Sequence, residues 1–95
     1  MRFEWDDQKA FENLAKHGVS FGEATEVFYD ADALEDYDSG HSLREDRFII
    51  IGLSSRRLLY VVYAERAADL VRIISARKAN RAQQEIYERT RTLNR

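Results

Sequence analysis

The chain has 95 residues, 44% hydrophobic and 34% charged, with no cysteine, no proline and a formal net charge of −2; such a length makes one domain, 1–95, able to bury about 60–70% of the surface its unfolded chain exposes. Without cysteine, disulfides, thiolate metal sites and a thiol nucleophile are excluded. No apolar run approaches the roughly 20 residues of a bilayer span, and the acidic start with Glu4, Asp6 and Asp7 does not resemble a secretion signal, so a cytoplasmic protein with no membrane contact is expected.

The small total charge conceals two unlike halves. Through Leu43 three Lys/Arg stand against eleven Asp/Glu, a balance of −8; from Arg44 twelve stand against six, a balance of +6. Of those twelve cations only Lys78 is not arginine. Guanidinium groups grip phosphate in a fixed bidentate fork, and fields act locally, so an RNA or DNA partner is compatible with a negative total.

Arg2 to Trp5 alternates polar and apolar residues as a short strand does, and Asp6 or Asp7 then offers an N-cap to a helix whose apolar residues are Ala10, Phe11, Leu14 and Ala15. Gly18 ends it. Ser20 and Glu23, three apart, form a capping-box pattern before Ala24, Val27 and Phe28, which predicts a second short helix. From Asp30 to Gly40 acidic residues crowd a surface segment, with room for a short strand at Ala33 to Tyr37.

Phe48 to Leu53, Leu58 to Ala64 and Leu70 to Ser75 are β-branched or aromatic runs joined by short polar links, an antiparallel meander. With tight hairpins, Ile49, Ile51, Leu53, Leu58, Tyr60, Val62, Val71 and Ile73 share one face, expected to be the core. The other face then holds Phe48, Ile50, Leu59, Val61, Tyr63, Arg72 and Ile74, with Tyr63 opposite Arg72. After Ser75 a helix is expected, with Ala79, Ile86, Tyr87, Thr90 and Leu93 on one stripe and a Glu85–Arg89 pair on its surface. The sum is an α+β domain: an N-terminal strand and two short helices, an antiparallel β-meander and a C-terminal helix.

In order and spacing, Phe3-Glu4-Trp5-Asp6, Lys16-His17-Gly18-Val19-Ser20-Phe21, Val27-Phe28 with Asp30, His41-Ser42 with Glu45 and Arg47, Ile51-Gly52, Val61-Val62-Tyr63 with Arg66, Arg72-Ile73-Ile74-Ser75-Ala76-Arg77 and Tyr87-Glu88 resemble the BrnT toxins of bacterial type II toxin-antitoxin pairs. The likeness covers nearly the whole chain, and no single short motif carries it. It implies a single BrnT-like toxin domain of RelE-like fold, a ribonuclease that inhibits translation. It also implies a ribbon-helix-helix antitoxin of the BrnA type, with which the toxin forms a hetero-oligomer that binds operator DNA. Ala31 stands where the family usually has proline, Ala64 where threonine is common, and Asn80 and Gln83-Gln84 where the family carries Thr and then Glu-Arg. If that glutamate serves the reaction, Gln83 attenuates it.

RNA cleavage without a metal needs a base for the 2′-hydroxyl, cations for the charge growing on phosphorus, and an acid for the leaving oxygen. Arg72 and Arg77 are the candidate cations, the second expected at the hand-over from strand to helix. Against this, surface arginines are often only solvated or ion-paired. His17 and His41, the chain's two histidines, are the candidate proton carriers. Their structural alternatives are a cap at the end of the first helix and a turn residue bonded to a carboxylate. Lys16, Tyr63, Arg66 and Tyr87 are the candidate RNA contacts, the tyrosines by stacking on bases, although a tyrosine in such a pattern is more often a core edge. The acidic run Asp30, Asp32, Glu35, Asp36 and Asp38 matches no calcium-loop spacing, so neither metal nor cofactor is expected. Two other readings stay open: a non-catalytic, degenerate toxin kept for binding its antitoxin or nucleic acid, and a small RNA- or DNA-binding domain that does no chemistry.

Overall fold

The computed structural model of the chain describes residues 1–94. The first strand, β1 (Arg2–Glu4), leads into helix α1 (Asp7–His17). Asp6 caps α1 by accepting from the Lys9 N–H at 3.0 Å, and Gly18 ends it with φ of 69°, a left-handed conformation that costs a residue with a Cβ about 1–2 kcal/mol. Helix α2 (Phe21–Glu26) starts on Ser20, whose hydroxyl accepts from the Glu23 N–H. A 3-10 turn at Val27–Tyr29, strand β2 (Leu34–Tyr37), a second 3-10 turn at Ser39–His41, strands β3 (Phe48–Leu53), β4 (Leu58–Ala67) and β5 (Leu70–Lys78), and helix α3 (Arg81–Leu93) complete the chain.

The five strands form one sheet in the order β1-β5-β4-β3-β2, antiparallel except for β1, which runs parallel to β5. The β3–β4 register is the one that tight-hairpin spacing predicts, with Ile49 opposite Val62 and Ile51 opposite Tyr60. The buried face is the reverse of the expectation. Ile50, Leu59, Val61 and Tyr63 pack with Val71, Ile73 and Ala76 against Val19, Phe21, Ala24 and Val27. Ile49, Ile51, Tyr60 and Val62 lie on the opposite face and stay half-exposed. Two register shifts explain why Val71 and Ile73 nevertheless joined the core: one irregularity falls between Glu65 and Ala67, the other between Val62 and Tyr63, where Ile74 is the extra residue of a bulge. Tyr63 therefore faces Ile73, and Arg72 pairs with Ala64. An alternating pattern with apolar residues on both faces does not itself select the buried one.

Strand β5 also runs three residues past Ser75, so Arg77 lies within the strand opposite Tyr60 rather than at a helix start. Helix α3 begins later, on Asn80, with a reciprocal cap: Asn80 accepts from the Gln83 N–H and Gln83 accepts from the Asn80 N–H, both at 2.8 Å. On its surface Glu85 lies 3.8 Å from Arg81, not at the expected pairing with Arg89.

Helix α1 departs most from its apolar pattern. Two of its apolar residues, Phe11 and Leu14, are 70% and 51% exposed, and its buried residue is Asn13. Strand β1 pairs with β5 only over Leu70, Val71 and Arg72. Further along, the Asn13 amide takes over the strand's place: it accepts from the Ala76 N–H at 3.1 Å and donates to the Ala76 carbonyl at 2.8 Å and the Val19 carbonyl at 2.9 Å. These bonds fix the middle of α1 beside the C-terminal part of β5.

Two further ties orient the helices. The Glu23 side chain does not complete a capping box; it is buried and accepts from Arg57 Nε and Nη2 at 3.0 and 2.8 Å and from the Ser54 hydroxyl at 2.8 Å, which locks α2 to the β3–β4 turn. Asp30 accepts from the Leu53 N–H, the Asp32 N–H and the Tyr87 hydroxyl, the last at 2.6 Å, joining the first 3-10 turn, β3 and α3. Gly52 lets β3 approach that turn: a Cβ there would lie 3.1 Å from both the Val27 side chain and its carbonyl oxygen.

Candidate active site

Because Asn13 holds α1 against β5, Lys16 and His17 reach the open face of the sheet. There they meet the residues that follow β2. The result is a cleft of about 400 Å³ lined by Lys16, His17, Asp38, His41, Arg47, Tyr60, Val62, Ile74, Ser75 and Arg77. It joins the two halves of the chain, with its histidines from the acidic half and its arginines from the basic one. Three permanent cations, Lys16, Arg47 and Arg77, stand against one carboxylate, Asp38. Val62 and Ile74 lie beneath these polar groups.

Arg77 lies with its guanidinium carbon 4.5 Å from the centre of the Tyr60 ring. That stacking pre-orients the guanidinium and leaves its N–H groups for an anion. His41 Nδ1 lies 3.2 Å from Asp38 Oδ1. A neighbouring hollow of about 500 Å³, lined by Gly40, Leu43, Arg44 and Glu45, shares His41 and Arg47 with the cleft.

Of the residues picked out from the sequence, Lys16, His17, His41 and Arg77 come together in the cleft. Arg72 does not line it. It shares the open face with Arg77, but its Nη1 pairs with Glu4 Oε2 at 2.8 Å, fastening β1 to β5. Arg66 sits at the far end of β4 and pairs with Glu45 at 2.7 Å. The two candidate stacking tyrosines are core residues. Tyr63 is 2% exposed, stacked on Phe48 and edge-on to Phe28, and burial together with the charges of Glu35 and Glu65 holds its hydroxyl well above the ordinary tyrosine range. Tyr87 is fully buried, and burial and its bond to Asp30 raise its hydroxyl likewise.

Tyr60 and Arg47 are cleft residues that sequence reasoning missed. Tyr60 is missed because its face was taken for the core; its signal is its cross-strand place opposite Arg77, legible only once β5 is known to continue. Gln83 and Gln84 serve the start of α3, Gln84 donating to the Ala79 carbonyl at 2.9 Å, and neither lines the cleft. The acidic segment is dispersed: Asp30 binds Tyr87, Asp32 lies 3.5 Å from Arg91, and Asp38 turns to His41. Among the described residues no three His, Asp or Glu side chains converge as a metal site requires, and no helix is long and apolar enough to cross a membrane.

Residues 5–83 match the family described as "Ribonuclease toxin, BrnT, of type II toxin-antitoxin system". Among solved structures, the 1.1 Å crystal structure of the Brucella abortus ribonuclease toxin BrnT is similar to this chain, with 24% sequence identity and a TM-score of 0.66 over 85% of this chain and 99% of that one. At that identity the likeness speaks for the fold. No curated protein matches. The family match spans most of the sequence, so this chain belongs to the BrnT family of ribonuclease toxins of type II toxin-antitoxin systems.

Proposed function

We propose that the toxin cuts RNA in the cleft between α1 and the open sheet face, without a metal ion, and that a BrnA-type ribbon-helix-helix antitoxin neutralises it in a complex that binds operator DNA. The observation that carries the reading is the convergence of both histidines with Lys16 and Arg77 in one cleft. In this chemistry one imidazole takes the proton of a 2′-hydroxyl as that oxygen attacks phosphorus. The bond from phosphorus to the 5′-oxygen breaks, and a second acid protonates the leaving oxygen. A 2′,3′-cyclic phosphate and a free 5′-hydroxyl result, with no outside reagent.

Arg77, Arg47 and Lys16 supply positive charge where the phosphorane becomes more negative, the larger part of the rate in such sites. Tyr60 offers, besides its hold on Arg77, a ring edge against which a base can rest. Arg72 and Arg66 act through their ion pairs on the scaffold. The test is cleavage of a mixed RNA by purified toxin in EDTA, with the Arg77→Ala variant beside it. Wild-type cleavage with a loss of about 100-fold or more in the variant is expected, the scale of removing one oxyanion-stabilising donor. RNA left intact in EDTA, or cleaved equally fast by Arg77→Ala, overturns the reading.

A further inference from the structure

We infer that Asp38 is a positioning residue for His41: its carboxylate holds the imidazole in the Nδ1–H form and turns Nε2 into the cleft as the group that takes the 2′-hydroxyl proton. The inference rests on the reading of the cleft as the place of RNA cleavage. A carboxylate has no proton to give at neutral pH, so at a separation of 3.2 Å between His41 Nδ1 and Asp38 Oδ1 the donor is Nδ1–H, and Nε2 is left with its lone pair. As His41 takes a proton, the adjacent carboxylate stabilises the imidazolium without itself being protonated, the role that a buried aspartate plays beside histidine in hydrolytic triads.

Asp38 is suited to this task by how it is held. Its side chain is 14% exposed, against 72% for His41, so the carboxylate is the enclosed member of the pair and the imidazole the solvent-facing one. Its main chain already builds the surrounding loop. Its N–H donates to the Arg47 carbonyl at 2.8 Å, and its carbonyl accepts from the Ser42 hydroxyl at 2.6 Å and from the His41 N–H at 3.3 Å. None of these bonds needs the carboxylate. In a cleft otherwise lined by Lys16, Arg47 and Arg77, a lone negative charge opposes the binding of phosphate. Paired with the imidazole, it serves the proton transfer instead.

The experiment is a double-mutant cycle on the full-length toxin with a short RNA, combining Asp38→Ala, His41→Ala and the double variant, with ¹⁵N spectra of the histidine rings. Asp38→Ala should lower kcat at least about 10-fold, up to the roughly 10⁴-fold loss seen when a buried triad aspartate is replaced, with KM unchanged within about twofold. In the His41→Ala background Asp38→Ala should have no further effect, since one residue acts through the other. The His41 ring should lose its Nδ1–H preference in Asp38→Ala while the melting temperature holds. Equal losses with and without His41, or an unchanged tautomer, overturn the inference. Arg77→Ala separates the two levels: if it is as active as wild type, cleavage lies elsewhere and both readings fall. If it is inactive while Asp38→Ala cleaves normally, only the positioning role falls.

Discussion

Removing a single oxygen, by Tyr87→Phe, separates a structural tyrosine from an RNA-contacting one. The ring is fully buried and its hydroxyl donates to Asp30 Oδ2 at 2.6 Å, a short bond to a charged acceptor. Hydrogen bonds to charged groups contribute about 1.5–3 kcal/mol. Phenylalanine keeps the ring packing, and Asp30 keeps the Leu53 and Asp32 N–H groups, so the carboxylate is not stranded. The lower part of the range applies, about 2 kcal/mol. For a domain of this size each kcal/mol moves the melting temperature by about 4–8 °C, so a fall of about 8–16 °C is expected. Thermal and urea melts read that loss, and RNA cleavage at 20 °C, where the variant is still folded, should stay within about twofold of wild type. An unchanged melting temperature together with lost cleavage would refute the reasoning and return Tyr87 to the RNA surface.

Asn13→Ala should cost about 2–3 kcal/mol in urea unfolding, because it strands the Ala76 N–H and carbonyl in the interior, and should slow cleavage as Lys16 and His17 lose their seat; a cost below about 0.5 kcal/mol would mean that water replaces the amide. Gln83→Glu keeps an acceptor for the Asn80 N–H, so cleavage and melting temperature should stay at wild-type levels; a large gain in cleavage would show that the glutamine attenuates the toxin. Acid stability follows from two depressed carboxylates. Arg57 and Ser54 lower Glu23 despite partial burial, and burial that would raise Asp30 is outweighed by the Tyr87 hydroxyl, the Leu53 and Asp32 amides and Arg91. A folded-state value below the unfolded one stabilises above the ordinary 4.5 and 3.8 and is lost as pH falls through the folded values. Urea midpoints should therefore decline below about pH 4.5, less steeply in Glu23→Gln; parallel curves for the two proteins would count against the Glu23 contribution.

Much of the fold was legible locally. Asp6, Ser20 and Gly18 act where helix-end chemistry places them, and β3 begins and ends with its β-branched run. The buried face was not legible, because both faces of β3 and β4 are apolar and the bulge at Ile74 leaves no mark in composition. Asn13 was invisible for a related reason: its partner Ala76 lies 63 residues away, on a part of β5 that β1 does not reach. His17, His41 and Arg77 were picked out by their chemistry, and the fold brings them into one cleft. The ion pair of Arg72 was not legible because its partner Glu4 lies 68 residues away, nor was the place of Tyr60, because an aromatic in a strand run is ordinarily counted as core.

The polar plug on β5 also bears on how the molecule avoids sticking to itself. Open sheet edges invite other chains to add a strand. Here one border is closed by the three residues of β1 and then by the Asn13 amide, and the other is the four-residue β2, which carries Glu35 and Asp36. Among the described residues neither border offers a long, uncharged row of free amides, so a chain that would extend the sheet finds little to register against.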